Sequence, residues 1–205
     1  MNYGQVKQAV LKLLNQYSVA GAQVENSYNN QQDYLNRISV LVNDAMVEIA
    51  TSAKKIPEVL RLEDLNVEDL GETLRYELPG NFYQFVSGDT VTTCEGAVLH
   101  TNQYEVQGQR YLRLRKSEVG KGEHSITYYR YPDLLSDNPL DSDRLDNTSD
   151  THRAIPYYVA SMLVAQDDAF LCALFNNKYE DLLTRMSPGV SVEVHQTGDV
   201  YGFFG

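Results

Sequence analysis

Adjacent carboxylates are the first residues in this sequence whose types and spacing could do chemistry. Acid clusters occur at Glu63/Asp64, Glu68/Asp69, Asp141/Asp143/Asp146 and Asp167/Asp168. Two carboxylates in one site can act as general acid and general base when their surroundings separate their pKa values. Neighbouring residues at a helix start point in different directions, however, and Asp is a good N-cap because its carboxylate accepts from free backbone N–H groups. We therefore expect Asp167 and Asp168 to cap a helix.

Histidine and cysteine spacing offers no metal site. No histidine lies three or four residues from another, and Cys94 and Cys172 are far apart, without a CxxC motif. A shared metal site would need long-range convergence, so we expect no metal, no cofactor and no disulfide framework. Cys172 is interpreted as a small core residue. The histidines are His100, His124, His152 and His195, and we expect His152 to be exposed in the first turn of a helix or just before it.

Recognisable catalytic motifs are also missing. The sequence has no GxSxG, P-loop or GxGxxG motif, and its serines lie in turns without a nearby histidine. The segment "DNPLDSDRLDN" is faintly similar to a calcium loop, but it lacks the Gly at the sixth position and the Glu at the twelfth. We expect a solvated loop there and no catalytic residue in the chain.

Composition and charge bound the class of protein. The 205 residues are 42% hydrophobic and 22% charged, as in a folded protein of one domain or one domain with an insertion. No apolar run approaches the roughly 20 residues needed to cross a bilayer, and the N-terminus lacks a secretory-signal pattern. We therefore expect a protein made in a reducing cytoplasm, with no membrane partner. The net charge of −11 argues against binding nucleic acid through phosphate contacts.

The elements that position these residues begin with helices at both ends of the chain. Helical spacing of apolar residues predicts two helices in the first 60 residues, the second ending before Pro57. It predicts two more from Ala154 to Met186, with a break at the acid pair; a single kinked helix is the alternative. The four apolar stripes are Val6, Val10, Leu13, Leu14 and Tyr17; Leu35, Ile38, Leu41, Val42, Ala45 and Ile49; Ile155, Val159, Met162 and Leu163; and Leu171, Leu174, Phe175, Leu182 and Met186.

Strand periodicity occupies the middle of the chain. Leu74, Tyr76 and Leu78 alternate with polar residues, and "QYEVQGQRYLRLR" alternates around a predicted turn at Gly108. We expect four to six short antiparallel strands between residues 74 and 131. A polar, acidic, proline-containing connection then returns the chain to the helical part.

The predicted fold class is α+β: a helical bundle formed from N- and C-terminal helices, with an inserted small antiparallel β subdomain and an extended C-terminal arm. The predicted boundaries are 1–73 for the first helical half, 74–131 for the β subdomain, 132–186 for the connection and closing helical pair, and 187–205 for the arm. The arm alternates valines and ends in aromatic residues, whereas a solvated tail should be polar.

Tyrosine is unusually frequent, with fifteen residues and no tryptophan. Pairs such as Tyr157 and Tyr158 could stack bases, but an acidic protein without interleaved basic residues is poorly suited to that. Tyrosine suits half-buried surfaces and subunit interfaces, because it offers contact area together with a wet hydroxyl. We therefore expect Tyr157 and Tyr158 to take part in subunit packing.

Several segments, in order, resemble the head–tail connector (adaptor or neck) proteins of tailed bacteriophages. "YLNRISVLVNDAMVEIAT" is similar to the family's early helix, and "YELPGNFYQF" to the LP-x-x-F segment that begins its β region. "YEVQGQRYLRL" resembles the hairpin and "SITYYRYPD" the last strand, while the stretch from Ala154 to Met186 resembles the closing helical pair. The likeness covers the chain from about residue 34 to 186.

The resemblance implies a structural virion protein in the neck, between head and tail, and no catalytic residues. It implies a homo-oligomeric ring, commonly of twelve copies, that contacts the portal protein on one side and a tail or second neck protein on the other. DNA would pass through the channel without specific binding, and part of the acidic excess, with Asp133–Asp150 as candidates, would face it so that DNA slides.

The predicted arm would then reach another chain by strand addition. Its interface residues, with the portal or a neighbouring subunit, would be Val190, Val192, Val194, Tyr201, Phe203 and Phe204. A strand folded back on the protein's own sheet is the alternative. Two other functions are the alternatives: an acidic regulatory or DNA-mimic module and, with less support, a carboxylate-based hydrolase. The aromatic arm argues against the mimic, and the lack of a base–nucleophile arrangement argues against the hydrolase.

Overall fold

The computed structural model describes residues 1–16, 28–86, 91–93, 104–108, 110–119 and 124–186. The fold is mixed α+β, with four main helices and two antiparallel sheets, so the predicted class is confirmed. The elements are α1 (Tyr3–Gln16), α2 (Tyr28–Ser52), β1 (Ile56–Arg61), a 3-10 turn (Leu62–Asp64), β2 (Val67–Asp69), β3 (Thr73–Glu77), β4 (Phe82–Phe85), β5 (Val91–Thr93), β6 (Tyr104–Gln107), β7 (Tyr111–Arg115), α3 (Lys116–Val119), β8 (His124–Arg130), a second 3-10 turn (Thr151–Arg153), α4 (Ile155–Val164) and α5 (Ala169–Met186).

One apolar core joins the four main helices. Most residues of the apolar stripes read from the sequence pack in or against it, because residues three and four apart lie on one face of a helix. Met162 and Leu174 are instead exposed, and Tyr17 lies outside the described residues. This helical core draws on segments from both ends of the chain. Its buried members include Val6, Val10, Ile38, Val42, Ala45, Met46, Ile49, Ile155, Val159, Leu163, Tyr179 and Leu183.

The two sheets share a second core, the β core. In one sheet, β8 lies between β1 on one side and β4 and β5 on the other; the second sheet has the order β2-β3-β7-β6. Leu112 and Leu114 of β7 point inward while Arg113 between them does not, as the period of two requires. The β core consists of Leu62, Tyr76, Leu78, Phe82, Leu112, Leu114, Ile126 and Tyr128.

Local chemistry sets several element boundaries. The Asp168 carboxylate accepts from the backbone N–H groups of Phe170 and Leu171, each at 3.0 Å, and so caps α5. The break between two helices at the acid pair is therefore confirmed, with Asp168 as the cap. Gly108, at φ +59°, lies in the turn between β6 and β7, where a side chain would be strained. The predicted hairpin is confirmed by the antiparallel pairing of these strands.

Six strands lie between Thr73 and Arg130 in the described residues, within the predicted range. The structure corrects the point at which the β region begins: β1 and β2 lie in the segment that the sequence assigned to the helices. Strand β1 pairs along its whole length with β8, from Ile56 opposite Arg130 to Arg61 opposite Ser125. Its partner is thus distant in sequence, and Pro57 masked the strand pattern.

The connection between β8 and α4 is largely exposed, as expected from its composition, and hydrogen bonds also attach it to the helices. Asn43 and Leu135 exchange two hydrogen bonds, at 3.0 and 2.8 Å, and Lys54 bonds Asp150. The backbone N–H of Gly4 donates to the Asp141 carbonyl at 3.0 Å. A Cβ at Gly4 would lie 2.8 Å from the Asp141 Cβ, so the glycine permits this close approach.

Candidate functional site

The predicted interface residues of the arm, Val190, Val192, Val194, Tyr201, Phe203 and Phe204, lie outside the described residues. The same holds for the whole of the predicted segment 187–205, and their role stays a prediction. The described chain reaches Met186 at the end of α5. There Met186 lines a small surface pocket with Ala53, Lys54, Lys55 and Tyr129, beside the start of β1. The described chain therefore ends next to the β part.

Tyr157 and Tyr158 are both half-buried on α4, but their surroundings differ. The Tyr158 ring packs against the Tyr179 ring, with centroids 5.2 Å apart, and burial raises the pKa of Tyr158. Tyr158 is thus engaged within its own chain. Tyr157 instead lines a surface groove. Of the two predicted subunit contacts, Tyr157 has the more accessible setting.

This groove, hereafter the α1–α5 groove, forms where α1, α4 and α5 converge. Its volume is about 400 Å³, and its lining is mainly apolar. Three cations, Lys12, Arg153 and Lys178, come from three different elements to line it, and no acidic residue does. Its apolar lining is provided by Met1, Ala9, Leu13, Pro156, Tyr157 and Leu182.

The cations of the groove differ in their partners. Lys178 bonds the Asp181 carboxylate at 3.1 Å. Lys12 and Arg153 are exposed, and neither makes an ion pair with another described residue. A cationic groove on a chain with a net charge of −11 is a local exception. Its chemistry suits an apolar group that carries negative charge beside it.

A second exposed feature, the turn knob, lies at the α4–α5 turn. We define it as Phe170 with the adjoining acids Asp167 and Asp168. Phe170 is 75% exposed, although it sits in the first turn of a helix that buries Phe175 on its other face. A large aromatic side chain left in water is a frequent mark of a contact surface.

A polar joint connects the β part to the connection before α4. The Arg130 guanidinium, only 15% exposed, donates two hydrogen bonds to Asp146, one of them at 2.9 Å, and bonds Glu58 at 3.0 Å. The Asp146 carboxylate also accepts from the backbone N–H of Asp133 at 2.7 Å. The Tyr128 hydroxyl donates to Glu58 at 3.1 Å. A guanidinium that donates two hydrogen bonds to one carboxylate fixes the relative orientation of the two side chains and also stabilises their contact.

The electrostatics of the joint favour its charged state. The hydrogen bond from Arg130, helped by the Asp133 N–H, holds the pKa of Asp146 below its usual value. The hydrogen bond with Asp146 in turn raises the pKa of Arg130. Burial, with the nearby Glu58 carboxylate, raises the pKa of Tyr128 to about 12. At neutral pH Asp146 is therefore a carboxylate, Arg130 a guanidinium and Tyr128 a neutral phenol.

The outer face of the second sheet carries a different arrangement of charge. Arg75 and Arg110 flank the Tyr111 ring, at 4.6 and 5.5 Å from its centroid. Arg75 bonds Glu68, and Arg110 bonds Glu77 at 2.9 Å. Each arginine thus has a carboxylate partner, and the face is close to balanced in charge.

The other residues singled out by their chemistry are dispersed. His152 lies in the 3-10 turn before α4, as expected, but it is buried at 6% exposure rather than exposed, and burial lowers its pKa. Cys172 is half-buried on α5, whereas Cys94, His100 and His195 lie outside the described residues. Within the described residues, no group of three or more His, Cys, Asp or Glu could hold a metal ion.

Sequence reasoning missed the joint and the groove. In the sequence, Arg130 is part of a tyrosine-rich strand segment and Asp146 is one of several acids in the connection, so neither residue stands out. The groove brings together residues that are as distant as Lys12 and Lys178, so no local pattern marks it. Phe170 had a usable signal, since it is an aromatic residue two positions after the capping Asp168 and is not among the stripe residues that begin at Leu171.

Comparison with protein-family models and with curated proteins gives no further guide to this arrangement. Neither a family model nor a curated protein matches the chain. In the described part of the chain, no helix has the length and apolar character needed to span a membrane. The case for a function therefore depends on the chain's own residues and on the sequence resemblance.

Proposed function

We propose that the protein is a structural component of a tailed-phage virion, a head–tail connector that joins the portal to the tail. In this proposal about twelve copies form a closed ring by repeating one contact. The ring lies between head and tail and leaves a channel for DNA. The protein has no catalytic role in it and is made in the host cytoplasm before assembly.

The observation that carries the proposal is the order in which the resembling segments fall on the elements. The segment similar to the family's early helix lies within α2, and "YELPGNFYQF" runs through β3 and β4. The hairpin segment coincides with β6 and β7, and "SITYYRYPD" covers β8. The closing segment becomes α4 and α5. We take the helical core as a bundle, with the two sheets inserted between its halves.

The arm completes the proposal. Residues 187–205 follow α5, and the alternation of Val190, Val192 and Val194 suits strand addition to another chain. Tyr201, Phe203 and Phe204 would anchor the arm in pockets of the portal or of a neighbouring subunit, since buried aromatic residues dominate interface energetics.

The acids proposed to face the channel can be narrowed. Asp141, Asp146 and Asp150 bond Lys7, Arg130 and Lys54, respectively, so their charge is already matched within the chain. Asp133 and Asp137 make no ion pair with another described residue, and they are the better candidates to repel DNA phosphates. Repulsion of this kind acts over about 8–10 Å at physiological salt.

The test combines the purified chain with the portal protein of the same virus, followed by light scattering and electron microscopy. We expect a ring-shaped complex with many copies of this chain on each portal. A strict one-to-one heterodimer would contradict the proposal.

The arm is tested by deleting residues 190–205. We expect the truncated chain to melt near the wild-type temperature but to fail to join the portal. Replacing Val190, Val192 and Val194 by serine should weaken joining in the same direction. A matched control replaces three exposed valines of the described part, Val40, Val59 and Val67, by serine. A large loss of stability on deletion, with assembly intact, would instead favour a strand folded back on its own sheet.

A further inference from the structure

We infer that the turn knob of one copy inserts into the α1–α5 groove of the next copy. The occupant of the groove is thus a second copy of this chain. The inference rests on the proposed ring, for which it specifies the repeating contact. It assigns Phe170 as the inserted side chain, with Lys12 and Arg153 as the cations that receive its flanking acids.

The first support is the placement of the two surfaces on one molecule. Phe170 is near the start of α5, whereas Lys178 and Leu182 of the groove are near its end. At ~1.5 Å per residue, Phe170 and Leu182 lie about 18 Å apart along the helix. A patch at one end that fits a hollow at the other is a head-to-tail contact. When each copy uses its knob on one neighbour and its groove on another, the contact is heterologous and generates a ring or a filament.

The second support is complementarity of shape and polarity. The groove has an apolar lining and a volume of about 400 Å³, which can accommodate an aromatic ring. The knob presents such a ring, 75% exposed on the free chain. Burying it removes a large apolar surface from water, the dominant source of association energy.

The third support is charge. Lys12 and Arg153 are exposed and without an ion pair among the described residues, in a chain with a net charge of −11. Asp167 is exposed next to Phe170, and Asp168 lies beside it. Two copies of an acidic protein repel each other in general. Where a cationic groove faces an acidic knob, the electrostatic interaction between the two copies becomes attractive. This attraction favours the knob–groove contact over other contacts between copies.

The experiment uses the full-length chain at concentrations up to about 1 mM and low salt, where charge pairs are least screened. The knob variant is Phe170→Asp, and the groove variant combines Lys12→Glu with Arg153→Glu. All three positions are exposed, so circular dichroism should show folded protein. Leu140→Asp, at another exposed apolar residue, is the matched control.

Sedimentation equilibrium should show self-association of the wild type and of the control into species larger than a dimer. Each variant alone should associate about 30-fold more weakly, which is the usual loss at an interface hot spot. An equimolar mixture of the two variants should stop at a one-to-one dimer, because one intact knob meets one intact groove. Raising the salt to about 0.5 M should weaken the wild-type association.

Several results would overturn the inference. A wild type that stays monomeric throughout, or variants that associate as well as the wild type, would remove this contact. Loss of portal joining in the groove variant, with wild-type self-association, would make the portal the occupant instead. These readouts are separable from the proposed function: a chain that builds a ring on the portal with either variant remains a connector, with its subunit contact elsewhere.

Discussion

The helical core and the β core differ in the stretches of chain that build them. The helical core needs residues from Val6 to Leu183, so both ends of the chain must come together. The β core is contained between Leu62 and Tyr128. Closing a longer loop costs more entropy, and non-local cores form more slowly. We therefore expect the β part to be the more autonomous unit and the helical part to depend on its completion.

The contact between the two parts also differs from the contacts within them. Each core is apolar, whereas the joint at Arg130 is made of charged side chains with hydrogen bonds on fixed axes. Apolar packing tolerates small slips, but a forked Arg–carboxylate bond allows one orientation. The joint therefore restricts how the two cores are oriented relative to each other.

The largest expected effects come from one truncation in each core. Ile155→Ala and Ile126→Ala remove fully buried side chains from the helical and the β core, respectively. Each should lower the free energy of unfolding by about 2–5 kcal/mol through lost transfer energy and a cavity. Urea titration followed by circular dichroism measures both, and Val40→Ala, at an exposed site, should stay within about 0.5 kcal/mol.

The same titrations test how independent the cores are. If the joint couples them, each truncation lowers a single shared midpoint that tyrosine fluorescence and circular dichroism report alike. Separate transitions in the two signals would mean that each core unfolds on its own.

The joint is tested by Arg130→Met, which keeps much of the volume but removes the cation. Two carboxylates then face each other partly buried, and we expect a loss of about 2–3 kcal/mol. Arg110→Met at the exposed pair with Glu77 should leave the urea midpoint unchanged. Equal effects of the two substitutions would contradict the role of the joint.

Acid titration sharpens this prediction. Folding lowers the pKa of Asp146, so its bond with Arg130 stabilises the fold at pH values above the unfolded-state pKa of about 4. This stabilisation is lost as the pH falls through the lower pKa of Asp146 in the folded state. The wild type should therefore lose stability below about pH 5, and Arg130→Met should lose less over the same range.

A smaller effect is expected at the cap of α5. Asp168→Ala should cost about 1 kcal/mol, because two backbone N–H groups lose their acceptor. Asp167→Ala, one residue earlier and without a hydrogen bond to those groups, should change the thermal midpoint little. Equal losses at both positions would mean that charge near the helix start matters more than the cap.

The smallest effect at neutral pH is expected for Tyr128→Phe, which removes the hydrogen bond to Glu58 and should cost about 0.5–1 kcal/mol. The distinctive effect of Tyr128→Phe on stability is expected at alkaline pH. The folded state raises the pKa of Tyr128 to about 12, so its stabilisation is complete below pH 10 and is lost as pH rises toward 12. The Phe variant should have a flatter alkaline limb, measured by thermal melts between pH 9 and 12.

Local patterns in the sequence predicted much of the fold. The helices predicted from the four apolar stripes, the cap at Asp168 and the turn at Gly108 depend on residues close together in the chain, and the structure confirms them. Met162 and Leu174 of the stripes are nevertheless exposed. Strand β1 was missed because its pairing partner, β8, comes about seventy residues later. The burial of His152 was also missed, because it too depends on residues that are distant in sequence.

The candidate site was harder to predict than the fold. Asp146 and Arg130 are ordinary in sequence, and their pairing depends on how the connection folds back on β8. The groove depends on three elements from opposite ends of the chain. The acidic run is largely exposed, as its composition indicated, but composition gave no sign that Asp141, Asp146 and Asp150 bond basic residues of other elements.

The pairing of β1 with β8 has a consequence for how such proteins diversify. Ile56 and Arg130 are direct partners in the ladder, so the chain enters and leaves the β part at neighbouring points, about 4.5–5.5 Å apart between Cα atoms. Recombination at those two points can replace the whole segment between Ile56 and Arg130 as one unit (a cassette), while the structure of the helices is retained. A cassette that keeps an arginine at its last position retains the bond to Asp146. Two descendants of one gene could thus share their helices and differ wholly in the surface they present.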